Sequence, residues 1–212
     1  MIIAVDGPTA SGKGTIAKRL AAHFGVPCLD TGLLYRAVGR QVAINEGDPD
    51  NPAEALAACA FPDELLDDEV LRTEESGGLA SRVSVHPEVR EALFKRQRAF
   101  AEQPGGAVLD GRDIGTVIAP DADVKLFITA SVQSRARRRW MEMVDKKLDH
   151  EEEIPLSEIE KDVVARDARD INRKDAPLKA APDAFVIDTT SLDREQAFEM
   201  VLETVEEALK NR

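Results

Sequence analysis

Four stretches of this chain combine residue types and spacings suited to handling phosphate. In GPTASGKGT (residues 7–15), four residues separate Gly7 from Gly12, and Lys13 follows at once. Glycines let successive backbone N–H groups turn toward one anion, and a helix starting here adds partial positive charge at its N-terminus. A lysine in this position reaches the β- and γ-phosphates of a nucleotide. Pro8, Thr9, Ala10 and Ser11 complete the loop. Gly14 displaces the usual hydroxyl after the lysine to Thr15, which is expected to face Mg²⁺ directly or through water.

The other three stretches lie further along. LDTGLLYR (29–36) puts Asp30 and Thr31 at the end of a short apolar run, with Tyr35 and Arg36 one helical turn on. VLDGRDIGTV (108–117) ends another apolar run in Asp110, where a carboxylate could hold a water of Mg²⁺, and Arg112 and Asp113 follow. ARDARDINR (165–173) spaces Arg166, Arg169 and Arg173 at i, i+3 and i+7, one face of a helix, with Asp170 beside them. In SRARRRW (134–140), Arg135, Arg138 and Arg139 share a helix face, and some of them are expected over the donor phosphates. His23, His86 and His150 lack metal-ligand spacing and receive no catalytic role.

Elements of a particular kind must position these groups. Residues 2–5, 107–109 and 124–128 read as buried strands, with 27–29 and 185–187 as weaker copies. Helical patterns fall between them at 14–24, 32–45, 87–102, 134–144, 157–173 and 194–209. This alternation predicts an α/β fold, a parallel five-stranded sheet flanked by helices, with ligands at the carboxyl ends of the strands. Residues 46–86, rich in Asp, Glu, Ala, Pro and Gly, read as an inserted lobe. The charged stretch 145–155, with its acidic run at 149–153, reads as a solvated surface.

Composition sets limits. A chain of 212 residues, 43% hydrophobic and 32% charged, suits one α/β domain with inserted parts. A net charge of −12 opposes nucleic-acid binding, yet 18 of the 28 basic residues are Arg, whose planar fork suits a small anionic ligand. Cys28 and Cys59 are too few for a disulfide framework and are expected to be small buried hydrophobes in a reducing compartment. No apolar run approaches the ~20 residues of a membrane span, and no basic region precedes the first apolar run. A cytoplasmic location without membrane or nucleic-acid partners is expected. In the absence of a heptad or apolar interface pattern, the expected state is a monomer.

The Gly12-Lys13-Gly14-Thr15 order is similar to nucleoside monophosphate kinases more than to GTPase switches, and no Asn-Lys-x-Asp motif for guanine is present. DTGxxYRA, VREALxxRQRAF (89–100), DGRDIGTVxxPDA (110–122) and RDxRDxNR (166–173) together resemble the bacterial cytidylate kinases, over nearly the whole chain. Members usually carry a longer insertion with a small antiparallel sheet. Here 46–70 show little strand alternation, and Gly77-Gly78 stand where helix-compatible residues are expected.

The resemblance implies ATP- and Mg²⁺-dependent phosphorylation of CMP and dCMP by one P-loop kinase domain (1–212). A nucleoside monophosphate lobe at 36–105 and a lid at about 140–165 would be inserted into it. It implies Arg36, Arg112 and Arg173 near the acceptor phosphate, Thr31, Arg90 and Asp113 near the cytosine, and Ser81, Arg166 and Asp170 near the pentose. Lys13, Arg36, Arg112, Arg139 and Arg173 would carry catalysis, with Thr15 and Asp110 on the metal side. The acceptor phosphate is already anionic, so transfer needs no general base, only positioning and charge neutralisation. A kinase for UMP, AMP or shikimate, or a regulatory NTPase, would keep the loop and differ in the acceptor pocket.

Overall fold

The computed structural model describes residues 1–145 and 154–211. Its centre is a five-stranded parallel sheet in the order β2-β3-β1-β4-β5, as the alternation predicts. The strands are β1 (Ile2–Asp6), β2 (Cys28–Asp30), β3 (Ala107–Gly111), β4 (Val124–Thr129) and β5 (Phe185–Asp188).

Alternate side chains of β1 serve opposite faces of the sheet. Ile3 and Val5 pack with Ile16 and Leu20 of α1 (Lys13–Phe24) and with Val201 and Val205 of α8 (Arg194–Lys210). Ala4 packs with Leu109, Ile114 and Ile118 on the other side. Both faces are therefore covered, which is why β1 reads as an unbroken apolar run. β1 lies between β3 and β4, so the loop that follows it emerges at the crevice where ligands of open α/β sheets bind.

A second core belongs to the inserted residues. Leu34, Val38 and Val42 of α2 (Thr31–Ile44) pack against Leu71, Val83, Val89 and Leu93. Between 46 and 86 the chain forms α3 (Pro52–Ala57), three short 3₁₀ turns and α4 (Glu74–Val83), and then enters α5 (Pro87–Ala101). Among the described residues no strand lies between β2 and β3. The glycine pair is a correction to the sequence reading: Gly77 and Gly78 lie inside α4, a helix capped by Thr73, whose hydroxyl accepts from Ser76 N–H at 3.3 Å.

Helices α6 (Val132–Asp145) and α7 (Leu156–Asn172) pack through Ala136, Ile159 and Val163. Most of the 145–155 stretch, including the acidic run, lies outside the described residues. Cys28 and Cys59 are free and half-buried against the two main cores, a little less enclosed than expected, and burial pushes both thiols up to about 11. Among the described residues no helix is long and apolar enough to cross a membrane.

Candidate active site

The loop after β1 owes its course to two glycines. A Cβ on Gly7 would stand 2.1 Å from the carbonyl oxygen of Ile128 in β4, so only glycine passes there. Gly12, the N-cap of α1, has φ +88° with open space around it, so its requirement is conformational. No acidic side chain sits in the first turn of α1, which leaves the positive end of the helix available to an anion. Thr9 through Thr15 line a cleft of about 320 Å³. Gly7 and Pro8 stand behind that wall instead, because Gly7 is pressed against β4 and Pro8 turns its carbonyl toward Lys13 Nζ, at 3.4 Å.

Lys13 and Asp110 meet at the base of the cleft, with Nζ 3.9 Å from Oδ1. Burial lowers the Lys13 ammonium from its ordinary range, and the Arg112 charge adds to this against the pull of Asp110. Burial likewise raises the Asp110 carboxyl, opposed by Lys13. Among the described residues the buried Asp110 Oδ1 has no hydrogen-bond partner. A side chain on Gly14 would come within 2.9 Å of Asp110 Oδ2, so the displaced glycine keeps this carboxylate accessible from the helix end.

Across the cleft a second set of the sequence-predicted site residues converges from separate elements. Arg90 of α5 forms a buried ion pair with Asp113, and its guanidinium lies 5.6 Å from the Tyr35 ring centre. Arg112 Nε donates to Asp170 Oδ2 at 2.8 Å, while Arg173 Nη1 stands 3.9 Å from Asp170 Oδ1. Burial pushes the Asp170 carboxyl up, but the Arg112 and Arg173 charges outweigh it and hold it below its ordinary value. Arg36 Nη1 donates to the carbonyls of Leu71 and Thr73, each at 2.8 Å, which ties α2 to the start of α4. Ser81 Oγ accepts from Arg169 Nε at 2.8 Å, and Arg166 lies buried beside Gly77. Thr31 also lines the cleft, with its hydroxyl donated to the carbonyl of Asp110 at 2.8 Å.

The three arginines of α6 divide. Arg139 lines the cleft, 3.5 Å from Glu142. Arg135 pairs with Asp167 and donates to the Thr9 carbonyl at 3.0 Å; Arg138 donates to the Thr189 carbonyl at 2.5 Å. These two brace the loop and the end of β5 from behind.

Sequence reasoning missed Asp6. Its carboxylate accepts from the backbone N–H groups of Ile114 and Gly115, both at 2.8 Å, and so ties the end of β1 to the turn that carries Arg112 and Asp113. Burial, joined by the charges of Asp113 and Asp110, raises it to about 7. An acid closing an apolar strand just before Gly7 was the available signal. Ser84 was also missed, and Arg169, placed on the right helix face by its spacing, was given no role. Ser84 offers its carbonyl to Arg90 at 3.4 Å and its hydroxyl to Arg173 at 3.5 Å.

The model of the family described as cytidylate kinase matches residues 3–207. The chain belongs to the cytidylate kinase family. A cytidylate kinase from Caulobacter vibrioides is 50% identical over 208 residues, 98% of this chain and 96% of that protein. One from Methylocella silvestris is 52% identical over 209 residues, covering 98% and 95%. Among solved structures, a protein of unassigned function from Eubacterium ventriosum superposes with a TM-score of 0.57 at 16% identity, over 97% of this chain and 98% of the other. A shikimate kinase from Bacteroides thetaiotaomicron gives 0.50 at 13% identity, with the same coverage. At such identities the likeness is one of fold, and that fold is the P-loop kinase type expected from the sequence. As a cytidylate kinase family member the chain is a nucleoside monophosphate kinase.

Proposed function

We propose that this chain transfers the γ-phosphoryl group of ATP in line to the phosphate of CMP or dCMP, and that Asp113 and Arg90 select the cytosine. One observation carries the reading. In a chain of net charge −12, Lys13 and the guanidiniums of Arg36, Arg90, Arg112, Arg139, Arg166 and Arg173 line a single cleft together with the phosphate loop. Cations gathered in this way from several elements, in an acidic protein, suit two phosphate-bearing ligands placed end to end.

The roles are those that the resemblance implies, and the shared cleft supports them. Residues 9–15 cradle the donor phosphates, and Lys13 neutralises charge between β and γ. Arg36, Arg112 and Arg173 hold the acceptor phosphate, and Arg139 acts on the transferring group. Ser81, Arg166 and Asp170 hold the pentose, while Asp113 accepts from the cytosine amino group. Thr31 takes its place at the base through cleft shape, since its hydroxyl is engaged by Asp110.

The residues fit Mg²⁺. Asp110, whose Oδ1 has no hydrogen-bond partner among the described residues, and Thr15 both line the cleft, a sparse protein ligand set of the kind Mg²⁺ uses when phosphates and water supply the rest. Thr15 and Asp110 would hold the ion, directly or through water, and it would supply positive charge against the phosphate charge that develops on transfer. Residues 36–105 form the acceptor lobe and about 140–165 the lid, of which 146–153 lie outside the described residues, in one catalytic domain that acts as a monomer in the cytoplasm without nucleic-acid or membrane partners.

The test is release of ADP from ATP and Mg²⁺ with a panel of acceptors: CMP, dCMP, UMP, AMP, shikimate and none. Turnover with CMP and dCMP well above the others is expected. Equal turnover without acceptor would point to a regulatory NTPase.

A further inference from the structure

Two adjacent glycines inside α4 behave differently. A Cβ on Gly78 would meet nothing within 4 Å. A Cβ on Gly77 would stand 1.9 Å from Arg166 Nη2, 3.0 Å from Arg166 Cζ and 3.0 Å from Arg36 Nη2. Gly77 is buried, its φ lies in the ordinary helical range, and glycine weakens a helix interior. Backbone conformation therefore does not ask for glycine at 77, but the space does.

The rest of the same face continues the pattern. Ser81 follows Gly77 at i+4 on α4, and Ser84, at i+7, caps the end of that helix. Arg169 of α7 reaches Ser81, and Arg173, which caps α7, reaches Ser84. Arg166, one turn earlier on α7, has Nη1 3.5 Å from Asp162 Oδ2 and fills the room left by the missing side chain of Gly77.

We infer that Gly77 is a positioning residue: its bare Cα is the seat that lets the Arg166 guanidinium lie under α4 and face the pentose of the acceptor nucleotide. The inference rests on the acceptor reading above. The atoms that an alanine would meet are the far ends of flexible side chains, so Gly77→Ala displaces guanidiniums and leaves the backbone in place. Gly78→Ala, one residue along the same helix, adds the same methyl group to open space.

The experiment compares Gly77→Ala, Gly78→Ala, Arg166→Ala and the double variant Gly77→Ala/Arg166→Ala, by steady-state kinetics and thermal melting. Gly77→Ala is expected to raise KM for CMP and dCMP about tenfold to a hundredfold, the loss of one hydrogen bond to a charged group, with KM for ATP little changed. Gly78→Ala should leave both KM values alone and raise Tm by about 1–4 °C through helix propensity. In the Arg166→Ala background most of the Gly77→Ala penalty should vanish, because the 1.9 Å contact has gone and only the 3.0 Å approach to Arg36 Nη2 remains.

A single variant that unfolds beside a double variant that folds would also assign the space to Arg166. The inference is overturned if Gly77→Ala leaves KM for CMP within about twofold of the parent, or if its penalty in KM or Tm persists undiminished without Arg166. Failure of the acceptor reading looks different: the parent protein would not turn over CMP or dCMP at all, while the coupling between positions 77 and 166 in Tm would still report on the seat.

Discussion

Arg90 and Asp113 form an ion pair inside the cleft, bridging α5 to the turn after β3, with both side chains under a tenth exposed. Asp113 Oδ2 takes the guanidinium, and on the proposed reading Oδ1 accepts from the cytosine amino group. Arg90 is fixed in turn by the Ser84 carbonyl and by the Tyr35 face. Asp113→Asn should lower the CMP-to-UMP ratio of kcat/KM by one to two decades, about 1.5–3 kcal/mol, since an amide can donate to the uracil carbonyl. KM for ATP should hold. The variant should also melt earlier, because a buried guanidinium loses its counter-charge. If both monophosphates suffer equally, Asp113 serves only to orient Arg90.

Asp6 sets a pH dependence of stability. Burial, with Asp113 and Asp110 adding their charges, raises its carboxyl from 3.8 to about 7 despite two backbone N–H bonds. The folded protein then holds a proton that the unfolded chain releases, so this stabilisation is complete below the unfolded value and is lost as pH rises toward 7. Urea unfolding of the parent and of Asp6→Asn at about pH 5 and about pH 8 isolates the effect. The variant should gain on the parent by about 2–3 kcal/mol between the two conditions. A difference that does not change with pH would mean that the carboxyl titrates in the ordinary range.

The same residue shows where sequence reading stops. Apolar runs located all five strands, yet β1, β2 and β3 continue past them to Asp6, Asp30 and Gly111, because polar residues at the strand ends still pair in the ladder. Asp6 works on backbone N–H groups, which leave no trace in a side-chain pattern. Helix α4 was illegible for a related reason: paired glycines argue against a helix, and the space that Gly77 provides is defined by Arg166, far away in sequence. The motif arginines were legible as a set. Their pairing was not, since Arg112 meets Asp170 across 58 positions.

Lys13→Ala should lower turnover with ATP, Mg²⁺ and CMP by about two to three decades, the scale of removing one preorganised charge from a transition state. Stability should change little, because burial already disfavours the ammonium, and its partner Asp110 can take up a proton. Circular dichroism and melting should match the parent protein. Near-parental turnover would remove Lys13 from the phosphate site.

Arg135 carries the last prediction. Its guanidinium is 4% exposed and grips Asp167 of α7 with both Nη atoms, at 3.1 and 2.5 Å. The same group donates to the carbonyls of Thr9 and Ala130, so one side chain joins the phosphate loop, the end of β4 and α7. Arg135→Lys keeps the charge but cannot supply the planar fork that makes these bonds together. Thr9 would lose its brace, and KM for ATP should rise about threefold to tenfold, the scale of one ordinary hydrogen bond. KM for CMP should change less, because Asp170, Arg173 and Ser84 hold one another without Arg135. Arg135→Ala should also destabilise the fold by about 3–5 kcal/mol, by stranding the partner of a largely buried ion pair. Should Arg135→Lys raise KM for CMP and spare ATP, the tie would act through α7 on the acceptor arginines and not through the loop.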